Sequence, residues 1–148
     1  MAELLLNPHR VPSYQSAAPL PGPRAFHTRL PGYASTPLRT LAPLAARLGI
    51  AALWVKDESS RLGLPAYKVL GASWATYRAI SARLGSPPEP WADLDQWRQN
   101  LGGLTPLRLV TATDGNHGRG VARVARWLGW PAEVCLPRGS APARLEGI

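Results

Sequence analysis

The feature that most constrains the fold of this chain is its alternation of short apolar runs with longer segments whose apolar residues recur at helical spacing. A short apolar run has the length of a buried strand, whereas a repeat of three and four residues places apolar side chains on one helix face. Strands that alternate with helices form a parallel sheet covered by helices. The sequence therefore predicts an α/β fold with a mainly parallel sheet flanked by helices. The predicted strands are residues 52–55, 107–111 and 133–136, and the predicted helices are residues 41–48, 67–84, 121–128 and 141–148.

The N-terminal residues 1–35 are rich in proline and show little hydrophobic periodicity. Proline interrupts regular helix, so we predict an extended N-terminal arm over residues 1–35. A partial α/β domain is predicted over residues 36–148. Because the last predicted helix barely begins and no strand follows it, we expect these residues to belong to a longer fold. The prolines of the arm are Pro8, Pro12, Pro19, Pro21, Pro23 and Pro31.

Between the second predicted helix and the second predicted strand, residues 86–105 are interpreted as an insertion. It contains one short amphipathic helix around Leu94, Trp97 and Leu101. The tryptophans divide into two groups by their predicted positions. Trp54, Trp74 and Trp127 are predicted in the core, whereas Trp91, Trp97 and Trp130 border predicted loops.

Composition and charge bear on the compartment and the partners of the chain. The net charge is +8, but the 17 basic residues, all arginines except Lys56 and Lys68, are spread along the chain rather than clustered. Arg123 and Arg126 are interpreted as a solvated helix face. The single cysteine, Cys135, cannot form an internal disulfide. No apolar run approaches the roughly 20 residues of a membrane span. We therefore expect a cytoplasmic protein with no membrane or nucleic-acid partner.

Residues 56–73 form the first segment that can carry chemistry. Lys68 follows a polar loop and begins an apolar helix, where the helix dipole and partial burial disfavour its charged form. A neutral amine is the nucleophile that carbonyl chemistry requires. The alternative is an ordinary helix residue that points to water. The other lysine, Lys56, is expected to form an ion pair with the acids that follow it, and Asp57 and Glu58 are interpreted as bracing the loop.

Residues 111–120 form the second such segment, because they follow a strand and open a helix. Open α/β sheets bind ligands at this position. Its glycines, Gly115, Gly118 and Gly120, would let a planar ring or an anion approach the backbone, and Asn116 can donate and accept hydrogen bonds. The glycine spacing matches neither the dinucleotide pattern nor the P-loop. The alternative is a tight turn without a ligand. No metal site is expected, because the three histidines do not share a ligand spacing.

Together, the two segments resemble the pyridoxal-phosphate (PLP) enzymes of fold type II, the class of the tryptophan synthase β subunit. Members of this class carry a Ser/Ala-Phe/Tyr-Lys-x-x-Gly segment followed, some tens of residues later, by a loop of Gly-Asn-His type. Within the class, the chain is most similar to the diaminopropionate ammonia-lyases, from about residue 33 to 148 and weakly over 86–105. The stretches that carry the resemblance are Lys56–Ser59, Arg61–Leu64, Ala66–Gly71 and Thr111–Gly120, and the departures from the usual pattern are Pro65 and Tyr67.

The resemblance implies PLP as the cofactor, a small amino acid as the substrate and a homodimer for the complete protein. It implies that Lys68 holds the cofactor as the Schiff-base lysine and that Gly115, Asn116 and His117 bind beside it, with Asn116 touching the ring hydroxyl. The implied reaction releases ammonia from 2,3-diaminopropionate and leaves pyruvate, by α-proton abstraction and β-elimination. Lys68 and Asp114 are the two candidate bases.

Asp114 separates the alternatives within the class. Serine and threonine dehydratases usually carry a small residue at this position, so the acid favours the ammonia-lyases over a dehydratase or a threonine-synthase-like enzyme. A competing role for Asp114 is capping of the helix that begins near Asn116. The glycine loop that grips the cofactor phosphate in this class finds no match in the chain. We therefore expect residues 1–148 alone to be inactive, or a non-catalytic relic.

Overall fold

The computed structural model describes residue 8, residue 13 and residues 22–148, and every structural statement below concerns these residues. In this part of the chain, helices and strands alternate along most of the sequence. In chain order they are α1 (Pro23–His27), β1 (Leu38–Thr40), α2 (Ala42–Leu48), β2 (Trp54–Lys56), α3 (Lys68–Leu84), α4 (Leu94–Asn100), β3 (Leu109–Ala112), α5 (Asn116–Leu128), β4 (Ala132–Cys135) and α6 (Pro142–Glu146).

The described strands form two separate two-stranded sheets. β3 and β4 pair in parallel, with Val110 opposite Glu133, as the alternation of strands and helices predicts. β1 and β2 pair antiparallel, with Leu38 opposite Lys56. The sequence analysis missed β1, because a three-residue strand beside Pro37 is too short for a periodic signal. The α/β class with flanking helices is confirmed, and the antiparallel pair is an addition to it.

Strand β2 is found where a strand was predicted, but it is not buried. Trp54 is 59% exposed and Val55 is 41% exposed, so the prediction of a buried strand with Trp54 in the core is wrong. The physical reason is that no described element covers this face of the β1–β2 pair. α2 confirms its predicted helix and ends at Gly49 in a left-handed conformation with φ 66°, yet Leu48 on its apolar face remains exposed.

The core forms where α3 and α5 pack against each other. Val69 and Ile80 of α3 and Val124 of α5 are fully buried. α3 runs close to its predicted bounds, whereas α5 begins at Asn116, five residues before the helix face predicted over 121–128. Both end at glycines with positive φ, Gly85 and Gly129. None of the helices in the described part of the chain is long and apolar enough to cross a membrane.

The extended arm predicted over residues 1–35 is wrong for its described end, because residues 23–27 form helix α1. Pro23 occupies the first turn, where a proline lacks no hydrogen bond that the helix needs. Phe26 is 1% exposed and His27 is also buried, with its Nε2 2.9 Å from the Leu70 carbonyl oxygen of α3. Burial lowers the pKa of His27. Most of the arm lies outside the described residues.

The segment predicted as an insertion contributes to the core. α4 confirms the predicted short helix, and Trp97 is 0% exposed and Trp91 is 3% exposed, so both belong to a core in which neither was predicted. The two indole rings stack with centroids 5.2 Å apart, and Phe26 lies edge-on to Trp97 at 5.6 Å. Burying several large rings in one cluster stabilises a small domain strongly. This aromatic cluster joins α1, α3 and α4.

A hydrogen-bond network of Arg29, Tyr77 and Glu89 contacts the aromatic cluster. Arg29 donates to both carboxylate oxygens of Glu89, at 2.7 and 2.9 Å, and the Tyr77 hydroxyl donates to Glu89 at 2.6 Å. Burial, followed by the Glu89 hydrogen bond, raises the pKa of Tyr77 to about 12. The guanidinium also lies 3.8 Å above the Trp91 ring. The segment after α3 is therefore fastened to the residues that follow α1.

Two tryptophans test this description of the core. Trp97→Ala should lower the free energy of unfolding by about 3 to 5 kcal/mol, because it leaves a large cavity in the aromatic cluster. Trp54→Ala, the matched control on the exposed β1–β2 pair, should lower it by less than about 1 kcal/mol. Urea unfolding followed by circular dichroism measures both. A larger loss for Trp54→Ala than for Trp97→Ala would contradict the placement of the core.

Candidate functional site

Lys68 is the first residue of α3, as predicted, and its side chain is exposed. The partial burial expected for it is absent from the described structure. In the part of the chain that the structure describes, its Nζ forms no hydrogen bond or ion pair. The ring of Tyr67 lies beside it, with its centroid 4.9 Å from Nζ. The amine of Lys68 is thus available to a ligand.

The loop before Lys68 is held by a brace of Thr36, Glu58 and Arg61, in which Arg61 is buried and the other two are half-buried. Arg61 is 6% exposed and donates to the two oxygens of Glu58 at 2.6 and 2.7 Å, and to the hydroxyl of Thr36 at 2.7 Å. It also donates to the Ala34 carbonyl at 2.6 Å. The Arg61 hydrogen bond is the main cause that lowers the pKa of Glu58 to about 2. A bidentate pair of this kind is strong and directional.

The other residues at the start of this loop have structural partners. Asp57 accepts from the Ser59 hydroxyl at 2.6 Å and from Arg39 at 2.7 Å, and these bonds, Ser59 first, lower its pKa to about 2. Asp57 and Glu58 therefore brace the loop, as the sequence analysis favoured. Lys56 does not form the expected ion pair. Its Nζ donates instead to the Thr36 carbonyl, because the β1–β2 pairing places that carbonyl beside it.

The middle of the loop is a tight turn that reaches α5. Leu62 has a φ of +52° and is 4% exposed, so an apolar side chain is held in the left-handed region by its burial. Its carbonyl accepts a hydrogen bond from Arg123 Nη1 at 2.9 Å. The interpretation of Arg123 as part of a solvated face is therefore wrong, since it fastens the loop to α5. Arg126 remains exposed.

The second segment begins α5 at Asn116 without a side-chain cap. Gly115 is the N-cap residue, so capping by Asp114 is wrong. The Asp114 carboxylate is 67% exposed and pairs with Arg144 of α6, whose Nη1 lies 2.6 Å from Oδ2. Asn116 and His117 are exposed at the first two positions of the helix.

Two of the three glycines in the second segment serve packing. A Cβ on Gly118 would lie 2.8 Å from Thr113 Cγ2 and 2.9 Å from Val134 Cγ1. A Cβ on Gly120 would lie 3.0 Å from the backbone nitrogen of Val69. The interpretation of these two glycines as ligand approaches is therefore wrong. Only Gly115 has open space at its Cβ position, so it alone keeps that role as a prediction.

The Gly120 contact brings the two segments together. The Cβ position of Gly120 is also 3.1 Å from the carbonyl carbon of Lys68, so α5 rests directly on the first turn of α3. Asn116 lies one helical turn before Gly120 and thus on the same side of α5. The start of α5 and the start of α3 are therefore neighbours. This is the arrangement that the resemblance requires of Lys68 and Asn116.

Two cavities flank this contact. One, of about 620 Å³, is lined by residues 55–59 and 65–67, at the two ends of the loop before Lys68. Another, of about 320 Å³, is lined mainly by polar groups of the second segment and includes two arginines that sequence reasoning missed. Neither lining contains both Lys68 and Asn116. The residues of the smaller cavity are Asp114, Gly115, Asn116, Arg119 and Arg144.

Besides Arg119 and Arg144 of the smaller cavity, Arg61 of the brace was also not recognised as a residue of the site from sequence. Arg61 carries a local signal, because Glu58 precedes it by three residues and the pair is bidentate in the structure. Arg144 carries none, since thirty residues separate it from Asp114. A pairing over such a distance depends on how β4 and α6 pack.

Comparison with known proteins gives the site a context. Residues 29–148 match the family described as pyridoxal-phosphate dependent enzyme. The chain is 43% identical over 128 residues to a diaminopropionate ammonia-lyase of Salmonella typhimurium and 39% identical over 125 residues to that of Escherichia coli strain K12. Both alignments cover 84% of this chain and 31% of the relative.

The solved structures show the same relationship. The crystal structure of diaminopropionate ammonia-lyase from Escherichia coli in complex with D-serine matches with a TM-score of 0.76 and 38% identity. That match covers 84% of this chain and 31% of the solved chain. The chain thus spans about a third of the length of the curated relatives it matches.

A pair of glycine variants tests the contact between the two segments. Gly120→Ala should destabilise the chain by about 1 to 3 kcal/mol, because its methyl group meets the backbone of α3. Gly71→Ala, at an exposed helical position with open space, should instead stabilise it by about 0.5 to 1 kcal/mol. Urea unfolding of both variants measures the difference. Equal effects would show that α5 does not rest on α3 at Gly120.

Proposed function

The chain belongs to the family of pyridoxal-phosphate dependent enzymes, and we propose that it forms part of a subunit that releases ammonia from 2,3-diaminopropionate and leaves pyruvate. The relatives it matches at 39 to 43% identity are diaminopropionate ammonia-lyases. The observation that carries the proposal is the available amine of Lys68, held beside the Asn116 segment by the Gly120 contact.

The residues present fit a phosphorylated aldehyde cofactor. The chain has two lysines, and in the described structure the Nζ of Lys56 donates to a carbonyl whereas the Nζ of Lys68 has no such partner. An amine without a partner can form the covalent link that this cofactor needs. When bound, PLP accepts the electron density released at the substrate α-carbon. Lys68 would hold the cofactor, and Gly115, Asn116 and His117 would lie beside it.

Lys68 would also act on a proton once the substrate amine has taken its place. Its released amine is a base on its own side of the substrate and can remove an α-hydrogen that points toward it. Only one configuration of the substrate presents its α-hydrogen to that side.

Asp114 is the proposed base for the opposite configuration. Its carboxylate lines the same cavity as Gly115 and Asn116, so it lies in the segment that would flank the substrate. The carboxylate pairs with Arg144, which lines the same cavity and holds it at that place. The relative solved in complex with D-serine adds support for a substrate of D configuration. The β-amino group would then leave as ammonia.

For the complete protein we further propose a cytoplasmic homodimer that acts on a small amino acid and has no nucleic-acid or membrane partner. The single cysteine and the dispersed arginines support the compartment and the absence of a nucleic-acid footprint. We propose that the 148 residues alone bind the cofactor weakly and catalyse nothing. The reason is that the phosphate-binding glycine loop of the family finds no match in this chain.

Cofactor attachment has a direct test. Incubation with PLP, reduction with borohydride and peptide mapping should place the phosphopyridoxyl label on Lys68, because Lys56 is engaged with Thr36. Lys68→Arg should remove the label, and Lys56→Arg should leave it in place. Labelling of Lys56 in the unmodified chain would contradict the proposal.

The role of Asp114 is tested in a chimeric full-length subunit. In it, residues 1–148 of this chain are joined to the remaining two-thirds of the Salmonella typhimurium relative. Asp114→Asn should lower kcat for D-diaminopropionate by about 10² to 10⁴ fold, the usual contribution of a general base, and largely spare the L-isomer. Arg144→Gln is the matched control, because it breaks the same ion pair but keeps the carboxylate. An equal loss on both isomers would argue against a stereospecific base.

A further inference from the structure

The two lysines of the chain differ in their surroundings. Both are exposed, yet in the described structure Lys56 donates its ammonium to the Thr36 carbonyl and Lys68 has neither a hydrogen bond nor an ion pair. An ammonium that donates to a carbonyl must give up that bond and a proton before it can attack a carbon atom. The amine of Lys68 has no such bond to lose.

The Thr36 carbonyl is held in place by the brace. The Thr36 hydroxyl donates to Glu58 at 2.5 Å and accepts from Arg61 at 2.7 Å. Thr36 is therefore held by two hydrogen bonds of its side chain. Arg61 also holds the Ala34 carbonyl at 2.6 Å, which fixes the backbone two residues earlier. The segment that offers its carbonyl to Lys56 therefore cannot move without disturbing a buried guanidinium.

The charge of Glu58 acts in the same direction. Arg61 is the main cause of its low pKa of about 2, and the Lys56 ammonium adds a smaller contribution. Glu58 is therefore ionised at neutral pH and carries the charge that binds the Arg61 guanidinium. The position of the Thr36 carbonyl that engages Lys56 thus depends on Glu58 through Arg61.

The loop before Lys68, residues 57–67, also sets the position of that lysine. Arg61 and Leu64 close a turn through the bond from the Leu64 amide to the Arg61 carbonyl, 3.0 Å long. The Leu62 carbonyl is held by Arg123 of α5 at 2.9 Å. Three residues then lead to Lys68. The loop is fastened to segment 34–36 on one side and to α5 on the other, so the start of α3 has little freedom.

We propose that the Thr36–Glu58–Arg61 brace selects Lys68 over Lys56 as the reactive amine of this chain. The brace is thus a positioning device, and its meaning for the cofactor rests on the proposed function. Selection is needed because both lysines flank the same loop and both are exposed. A cofactor on Lys56 would sit on strand β2, away from the Asn116 segment that α5 brings to Lys68.

Competitive acetylation tests the selection without the cofactor. The neutral amine attacks the ester carbonyl of N-hydroxysuccinimide acetate, a carbon–nitrogen bond forms, N-hydroxysuccinimide leaves and the nitrogen loses a proton to the buffer. Mass spectrometry then gives the ratio of acetylated Lys68 to acetylated Lys56. The folded chain should show a ratio about fivefold above that of the same chain in urea, the equivalent of about one hydrogen bond.

Variants of the brace separate positioning from general stability. Thr36→Val removes the hydroxyl and should lower the ratio toward its value in urea, and Thr36→Ser keeps the hydroxyl and should restore it. Glu58→Gln should also lower the ratio, because it removes the carboxylate to which both Thr36 and Arg61 donate. Arg108→Gln, at an exposed pair with Glu133, is the matched control and should leave the ratio unchanged. Each variant is acetylated at a temperature below its own midpoint of thermal unfolding, so that the folded state is compared.

The outcomes are distinct. A ratio in the folded parent chain equal to that in urea overturns the inference by itself. An unchanged ratio in folded Thr36→Val and Glu58→Gln also overturns it. A parallel arm with PLP and borohydride separates the two proposals: selective acetylation of Lys68 without a phosphopyridoxyl label there would refute the cofactor role and leave the brace standing.

Discussion

The structure depends above all on the close approach of α5 to the first turn of α3 at Gly120. Any larger side chain there would meet the backbone of Lys68 and Val69 at about 3 Å. The glycine lets two helices share a buried core and, at the same place, sets the start of one beside the start of the other. The same contact thus packs the core and assembles the candidate site. Lys68 and the Asn116 segment are neighbours because α3 and α5 pack against each other at Gly120.

The polar groups around this contact have separate structural roles. Arg61 and Glu58 hold the loop before Lys68, and Arg123 fastens that loop to α5. A buried guanidinium is stable only when its donors are satisfied, and Arg61 donates to four different acceptor atoms. Among the described residues, the amine of Lys68 has no such partner. The arrangement thus engages the charges that support the loop and leaves the side chain of Lys68 exposed.

The order and type of most elements could be predicted from sequence, and their burial could not. α2, α3, α4 and α5 carry clear helical periodicity and end close to glycines or prolines. The tryptophans show the limit of such patterns. Trp54 sits in an apolar run and is exposed, whereas Trp91 and Trp97 border predicted loops and are buried. An apolar run predicts a strand, but its burial depends on which element lies against it.

The sequence by itself determined the alternation of strands and helices, the position of Lys68 at a helix start, and the family. These follow from local spacing and from short motifs, in which every informative residue lies within a few positions of the next. Only the tertiary structure decided that Gly118 and Gly120 are packing residues, that Asp114 pairs with Arg144, and that Thr36 holds Lys56. The physical reason is distance along the chain. Apart from the contact of Gly118 with Thr113, these contacts join residues 16 to 52 positions apart, and no local sequence pattern indicates which of them the packing of the helices brings together.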